Sequence, residues 1–142
     1  MNKQVKDVMS KTMISVQVQD SVTQVAKLMQ THNIGIIPVM ENQKVVGVIT
    51  DRDLVLRVLA DQKATNTIAK DVMSTPIRSV EASEPVEQAA QSMGKEKIRR
   101  LIVLDHGVFC GLISIGDLAV RHEADQAAGM ALRSISEKDV KQ

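Results

Sequence analysis

The chain has 142 residues, 44% of them apolar and 25% charged, with a net charge of +1. That balance suits a soluble globular protein, one compact domain or two small units sharing a core, and gives no electrostatic reason to expect nucleic acid or an anionic membrane as partner. Phe109 is the one aromatic residue, which removes any platform on which successive bases could stack.

The first predicted element is an opening that recurs. Lys6-Asp7-Val8-Met9-Ser10 returns as Lys70-Asp71-Val72-Met73-Ser74, an offset of 64 residues. That register holds without a gap from Lys6–Arg57 to Lys70–Arg121, with 18 of 52 positions identical. A solenoid needs more copies at shorter periods. The chain is therefore a duplicated unit with pseudo-two-fold symmetry, and a ligand site between the copies should occur as a related pair.

Each copy then reads the same way. An extended stretch comes first, Met13–Val18 or Ile77–Ala82. A polar helix start follows at Asp20-Ser21 and at Ser83-Glu84-Pro85, where proline suits the first helical turn. Val22, Val25, Ala26 and Met29 form an i, i+3, i+4, i+7 stripe, matched by Val86, Ala89, Ala90 and Met93. Two apolar runs come next, Ile34–Met40 and Val45–Ile49, joined by Glu41-Asn42-Gln43-Lys44. Their counterparts are Leu101–Leu104 and Val108–Ile113 around Asp105-His106-Gly107, and so short a connection predicts antiparallel hairpins. A second helix closes each copy, over Asp51–Leu59 and Ile115–Arg121.

Each copy is thus β-α-β-β-α. Neither has enough core alone, and docking the two sheets would bury the surplus Val, Ile and Leu. The expected organisation is a first domain over 1–60, a linker over 61–67 with loop composition, a second domain over 68–122 and a tail over 123–142. Within the tail, Ala124–Ile135 could form a helix, weakened by Gly129. No apolar run approaches the roughly 18–20 residues of a membrane span, and Met1-Asn2-Lys3-Gln4 leads into polar sequence where a signal peptide would be apolar. The lone Cys110 excludes an internal disulfide and fits a reducing cytoplasm. It lies in the apolar run Val108–Ile113 and reads as a small buried hydrophobe, not a nucleophile.

No catalytic constellation is present. His32, His106 and His122 share no metal-ligand spacing with Cys or carboxylates, and neither a phosphate-binding glycine loop nor a nucleophile elbow occurs. What does recur is Gly47-Val48-Ile49-Thr50-Asp51-Arg52-Asp53 against Gly111-Leu112-Ile113-Ser114-Ile115-Gly116-Asp117. A hydroxyl three residues before an acid at a helix start is a capping-box arrangement. The same residues could instead serve a ligand, Asp53 and Asp117 accepting hydrogen bonds from a vicinal diol while Thr50 and Ser114 hold a ligand oxygen. The two roles are compatible. Arg99 and Arg100 likewise read either as a strand pair, one solvated and one paired to an acid, or as a fork for phosphate oxygens. Pro38 is expected to shape the first hairpin.

The duplicated unit, the Asp-Val-Met-Ser openings, Ile34-Gly35-Ile36-Ile37-Pro38-Val39 and the Gly-x-x-Thr/Ser-x-x-Asp strand ends resemble a tandem pair of cystathionine-β-synthase (CBS) domains over about residues 5–121. Ile98–Val103, Ser114–Ala119 and Ala127–Leu132 are similar to segments of small stand-alone bacterial CBS-pair proteins. The resemblance implies an α/β (α+β) fold of two pseudo-two-fold-related β-α-β-β-α units packed sheet to sheet, with two clefts between them. Each cleft would hold an adenosine-containing ligand such as AMP, ADP, ATP or S-adenosylmethionine. Carried over by motif, the first cleft would use Ile14, Ile34, Gly35 and Ile36 for adenine, Ser114 and Asp117 for ribose, and Arg100 near the phosphates. The second would use Arg78, Ile98, Arg99 and Arg100 for the base side, with Thr50 and Asp53 for ribose. Ile14 against Arg78, and Gly35-Ile36 against Arg99-Arg100, make the clefts unequal and favour the one built on Ser114 and Asp117.

By the same resemblance the protein would be a non-catalytic regulatory module, with no required cofactor and no metal, sensing an adenine nucleotide. It would be a homodimer through its CBS-pair faces and act on another, unidentified protein. The alternative is a structural or dimerisation module without ligand. An enzymatic reading, by analogy with inosine-monophosphate dehydrogenase-like chains, lacks room for their catalytic barrel of roughly 250 residues.

Overall fold

After a single turn of helix over Val5–Val8, the polar signals place the first long helix well. Ser21 caps Val22–His32 (α1), its hydroxyl accepting the Gln24 N–H at 3.1 Å, and Asn33 ends the helix in the left-handed region at φ 53°. The computed structural model of the chain describes residues 3–119 and Ile135. Around α1 stand Val16–Gln17 (β1), Ile36–Glu41 (β2) and Lys44–Thr50 (β3), in sheet order β1-β2-β3. β1 runs parallel to β2, and β2 pairs antiparallel with β3. The hairpin closes on Asn42 and Gln43, both at positive φ (53° and 68°) between the paired Glu41 and Lys44, so the turn has two residues.

The second repeat has the same plan: Ser79–Glu81 (β4), Val86–Glu96 (α3), Arg100–Asp105 (β5) and Val108–Ser114 (β6), in sheet order β4-β5-β6. His106 (φ 51°) and Gly107 (φ 83°) make its turn. Equivalent bulges interrupt the two hairpins, between Val39 and Met40 and between Val103 and Leu104. The β-α-β-β-α expectation thus holds in both copies as a mixed α+β fold with two three-stranded sheets.

Where the copies differ, single residues account for it. Ile102 donates its N–H to the Arg78 carbonyl at 3.0 Å, and β4 starts at Ser79. The equivalent residue in the first copy is Pro38, which has no N–H, and β1 starts one position later in the repeat, at Val16. Pro85 stands just before α3 as its N-cap residue, not within the first turn, and caps nothing with its side chain. Ala90 is buried on α3, whereas its counterpart Ala26 is exposed, so the first helix buries a narrower stripe of Val22, Val25 and Met29. The closing helix of the first copy is regular only over Asp51–Leu54 (α2) and continues as a π-helical turn over Val55–Leu59. That of the second, Ile115–Ala119 (α4), is described to Ala119. Arg121 and the proposed tail helix lie outside the described residues, except for Ile135, which is helical and buried against the second-repeat core.

The compact units do not coincide with the repeats. One unit is Ile14–Ile77; the other combines residues 3–13 with 78–119 and Ile135. The opening of the second repeat packs on the first, with Ser74 and Val48 exchanging backbone hydrogen bonds at 2.7 and 3.1 Å. The opening of the first repeat packs on the second in the same way, through Ser10 and Leu112 at 2.8 and 3.0 Å. The repeated glycines allow this approach. A Cβ on Gly47 would meet Met73 Sδ at 2.6 Å, and one on Gly111 would collide with the Ser10 carbonyl oxygen. Each unit has its own core, one around Val25, Ile37, Val39 and Ile49, the other around Val86, Met93, Val103 and Ile113.

Candidate ligand site

The strand end and helix start that recur in sequence form the same device twice. In the unit Ile14–Ile77, Thr50 Oγ1 accepts the Asp53 N–H at 3.1 Å and Asp53 Oδ2 accepts the Thr50 N–H at 2.9 Å. In the other unit Ser114 Oγ accepts the Asp117 N–H at 3.1 Å and Asp117 Oδ2 accepts the Ser114 N–H at 2.9 Å. These are reciprocal capping boxes, with Asp in the place usually held by Glu. Capping is therefore a real role of all four residues. It engages one oxygen of each carboxylate and leaves the other outside the cap.

The strand opposite supplies the neighbours. Ile36 pairs with Thr50, and Arg100 occupies the same place opposite Ser114, which puts side chains within reach across the ladder. The Gly35 carbonyl accepts the Asp51 N–H and the Arg99 carbonyl accepts the Ile115 N–H, both at 3.0 Å, so each helix start is pinned to the neighbouring strand. Ile14 and Ile34 are half-buried against the first core, and Gly35 and Ile36 are half-buried beside them. Ile98 is half-buried against the second core, while Arg99 and Arg100 are exposed.

The expected site residues thus fall into two half-sets. Ile14, Ile34, Gly35, Ile36, Thr50 and Asp53 share one unit; Arg78, Ile98, Arg99, Arg100, Ser114 and Asp117 share the other. Arg78 Nε lies 3.6 Å from Glu96 Oε2, a half-exposed ion pair within its own unit that stabilises by less than about 1 kcal/mol.

The two carboxylates differ in their remaining partners. Asp53 is 8% exposed. The Ser74 hydroxyl lies 3.0 and 3.2 Å from its Oδ1 and Oδ2, and Arg57 Nε is 3.7 Å from Oδ1. Arg57 Nη1 also donates to the Met73 and Val72 carbonyls at 3.0 and 3.3 Å. Asp117 is half-buried, and among the described residues nothing donates to its Oδ1. Ser74 and Arg57 escaped the sequence reading. The available signal was the identity of Ser10 and Ser74, which marked the repeat without showing that one hydroxyl would reach a carboxylate.

Cys110 is half-buried and its Sγ lies 3.5 Å from the Val103 carbonyl oxygen. Burial first, then the charges of Asp105 and Glu81, push its thiol above the usual range, which keeps it protonated and a poor nucleophile at neutral pH. Among the described residues no group of His, Cys, Asp and Glu side chains is placed to hold a metal ion, and no helix is long and apolar enough to cross a membrane.

The CBS domain family model matches residues 5–60 and 69–121. The chain belongs to the CBS-domain family. It is 37% identical over 136 residues to the CBS domain-containing protein YhcV of Bacillus subtilis, covering 96% of this chain and 97% of that one. Among solved structures, the CBS domain protein NE2398 is 30% identical, with TM-score 0.74 over 82% of this chain and 94% of its own. The CBS domain pair of protein MJ0100, crystallised with 5′-methylthioadenosine and S-adenosyl-L-methionine, is 27% identical with TM-score 0.74, over 84% of this chain and 94% of its own. The shared fold and the paired motifs make this chain a tandem CBS pair.

Proposed function

We propose that this CBS pair is a non-catalytic regulatory module that takes an adenosine-containing ligand and passes the occupancy on to another protein. The observation that carries the reading is Asp117. Its Oδ2 is fixed by the Ser114 N–H while Oδ1 has no donor among the described residues, so the carboxylate is rigidly aimed and still able to accept a sugar hydroxyl. Arg100, across the ladder from Ser114, supplies a fork for phosphate oxygens. Ile14, Ile34 and Ile36 are half-buried aliphatic side chains of the kind that can pack an adenine face, in a chain whose one aromatic residue, Phe109, is buried. The adenosyl compounds held by the MJ0100 pair support this ligand class. Arg100 favours AMP, ADP or ATP over the cationic S-adenosylmethionine.

A thermal-shift screen with these four compounds tests the assignment. A ligand at 100 times its dissociation constant adds about 2.7 kcal/mol, a shift of several degrees. A flat response to every adenosine compound would leave the second reading, a dimerisation module without ligand. One observation favours that alternative: Val55, Leu56 and Leu59 present apolar side chains that are 52%, 45% and 73% exposed on the π-helical turn.

A further inference from the structure

The duplication supplies two capping aspartates, but among the described residues only Asp117 keeps an oxygen without a donor. We infer that Ser74, with Arg57, latches the Asp53 site shut, so that the chain binds one adenosyl ligand, at Asp117, although it carries two copies of the binding motif. The inference rests on the nucleotide reading above and concerns the second of the two sites.

Three observations converge on the latch. Asp53 already accepts the Thr50 N–H and the Ser74 hydroxyl, with the Arg57 guanidinium beside it, so both carboxylate oxygens are engaged and only 8% of the residue meets solvent. A ribose hydroxyl reaching for Asp53 has to displace a hydroxyl that is already bonded, exchanging one charge-assisted bond for another without net gain. The latch is also held from both sides. The Ser74 backbone is tied to Val48, and Arg57 Nη1 donates to the carbonyls of Val72 and Met73, the two residues just before it. The equivalent serine in the other unit, Ser10, keeps the same backbone bonds to Leu112, yet it is exposed and among the described residues its hydroxyl makes no bond to Asp117. Backbone exchange is thus common to both units, while the side-chain latch belongs to one.

Ser74 is a positioning residue: it acts on ligand through Asp53. Replacing it with alanine keeps the backbone bridge to Val48 and removes only the competing donor. The test is the calorimetric stoichiometry of AMP and ATP binding to the full chain and to Ser74→Ala, Ser74→Cys and the double variant Ser74→Ala/Asp53→Ala. The wild type is expected to bind one ligand per chain. Both Ser74 variants should bind two, the new site strengthened by roughly 10- to 150-fold over the latched one, and the double variant should return to one. The cysteine variant guards against loss of folding in the alanine variant, since its thiol preserves bulk and donates only weakly. A wild type that binds two, or Ser74 variants that stay at one, overturns the latch while leaving the nucleotide reading intact. A wild type that binds nothing, with a Ser74 variant that binds one, supports the latch and rejects Asp117 as the working site. No binding by any variant rejects both.

Discussion

The two strand-to-helix corners are built from the same sequence device and end in different states. At Thr50–Asp53 the capping carboxylate is buried and shared among a backbone N–H, a serine hydroxyl and a guanidinium. At Ser114–Asp117 the same carboxylate caps its helix and, among the described residues, keeps one oxygen open. Opposite the first stands Ile36; opposite the second stands Arg100. Two copies of one motif can therefore acquire different partners. On the proposed function, one corner serves as structural mortar and the other is the one left to take a ligand.

The largest expected effect on stability comes from removing the shared carboxylate. Asp53→Ala strips the partners from Thr50, Ser74 and Arg57 and should cost about 1.5–3 kcal/mol in urea unfolding, whereas Asp117→Ala loses mainly a helix cap, about 0.5–2 kcal/mol. Equal costs would mean that the corners are equivalent. The helices separate next. Ala90 is 3% exposed and its counterpart Ala26 is exposed, so Ala90→Leu should destabilise by about 1–3 kcal/mol and Ala26→Leu should stay within about 0.5 kcal/mol. The glycines give the smallest contrast. A Cβ at Gly111 meets the Ser10 backbone carbonyl, which cannot swing away, while one at Gly47 meets mainly the flexible Met73 side chain. Gly111→Ala should therefore cost about 1 kcal/mol more than Gly47→Ala in the same unfolding measurement.

Much of this architecture was legible in the residues. The 64-residue register, the helix stripes, Ser21 as a cap and the short polar connections at Glu41-Asn42-Gln43-Lys44 and Asp105-His106-Gly107 all lead to the observed β-α-β-β-α units, because each depends on local chemistry. The packing of each opening on the other repeat's unit was not legible. It depends on backbone hydrogen bonds, Ser10 with Leu112 and Ser74 with Val48, that any non-proline residue could make and that leave no period in the side chains. The π-helical turn at Val55–Leu59 and the exposure of Ala26 also depend on tertiary surroundings, not on propensity. For the candidate site, the Thr50/Asp53 and Ser114/Asp117 pairs could be picked out from spacing alone. Their inequality was also expected, from Ile14 against Arg78 and Gly35-Ile36 against Arg99-Arg100, but the bond from Ser74 to Asp53 was not, since Ser10 and Ser74 are the same residue type and only folding shows which hydroxyl reaches a carboxylate.

Parallel titration of AMP or ATP into the wild type, Asp117→Ala and Asp53→Ala puts the division of labour to its most direct trial. Loss of one charge-assisted hydrogen bond should weaken binding by roughly 10- to 150-fold in Asp117→Ala, while Asp53→Ala leaves the affinity of the wild-type site within about threefold. Undiminished affinity in Asp117→Ala, or the larger loss in Asp53→Ala, would contradict the assignment of the open corner as the ligand's anchor.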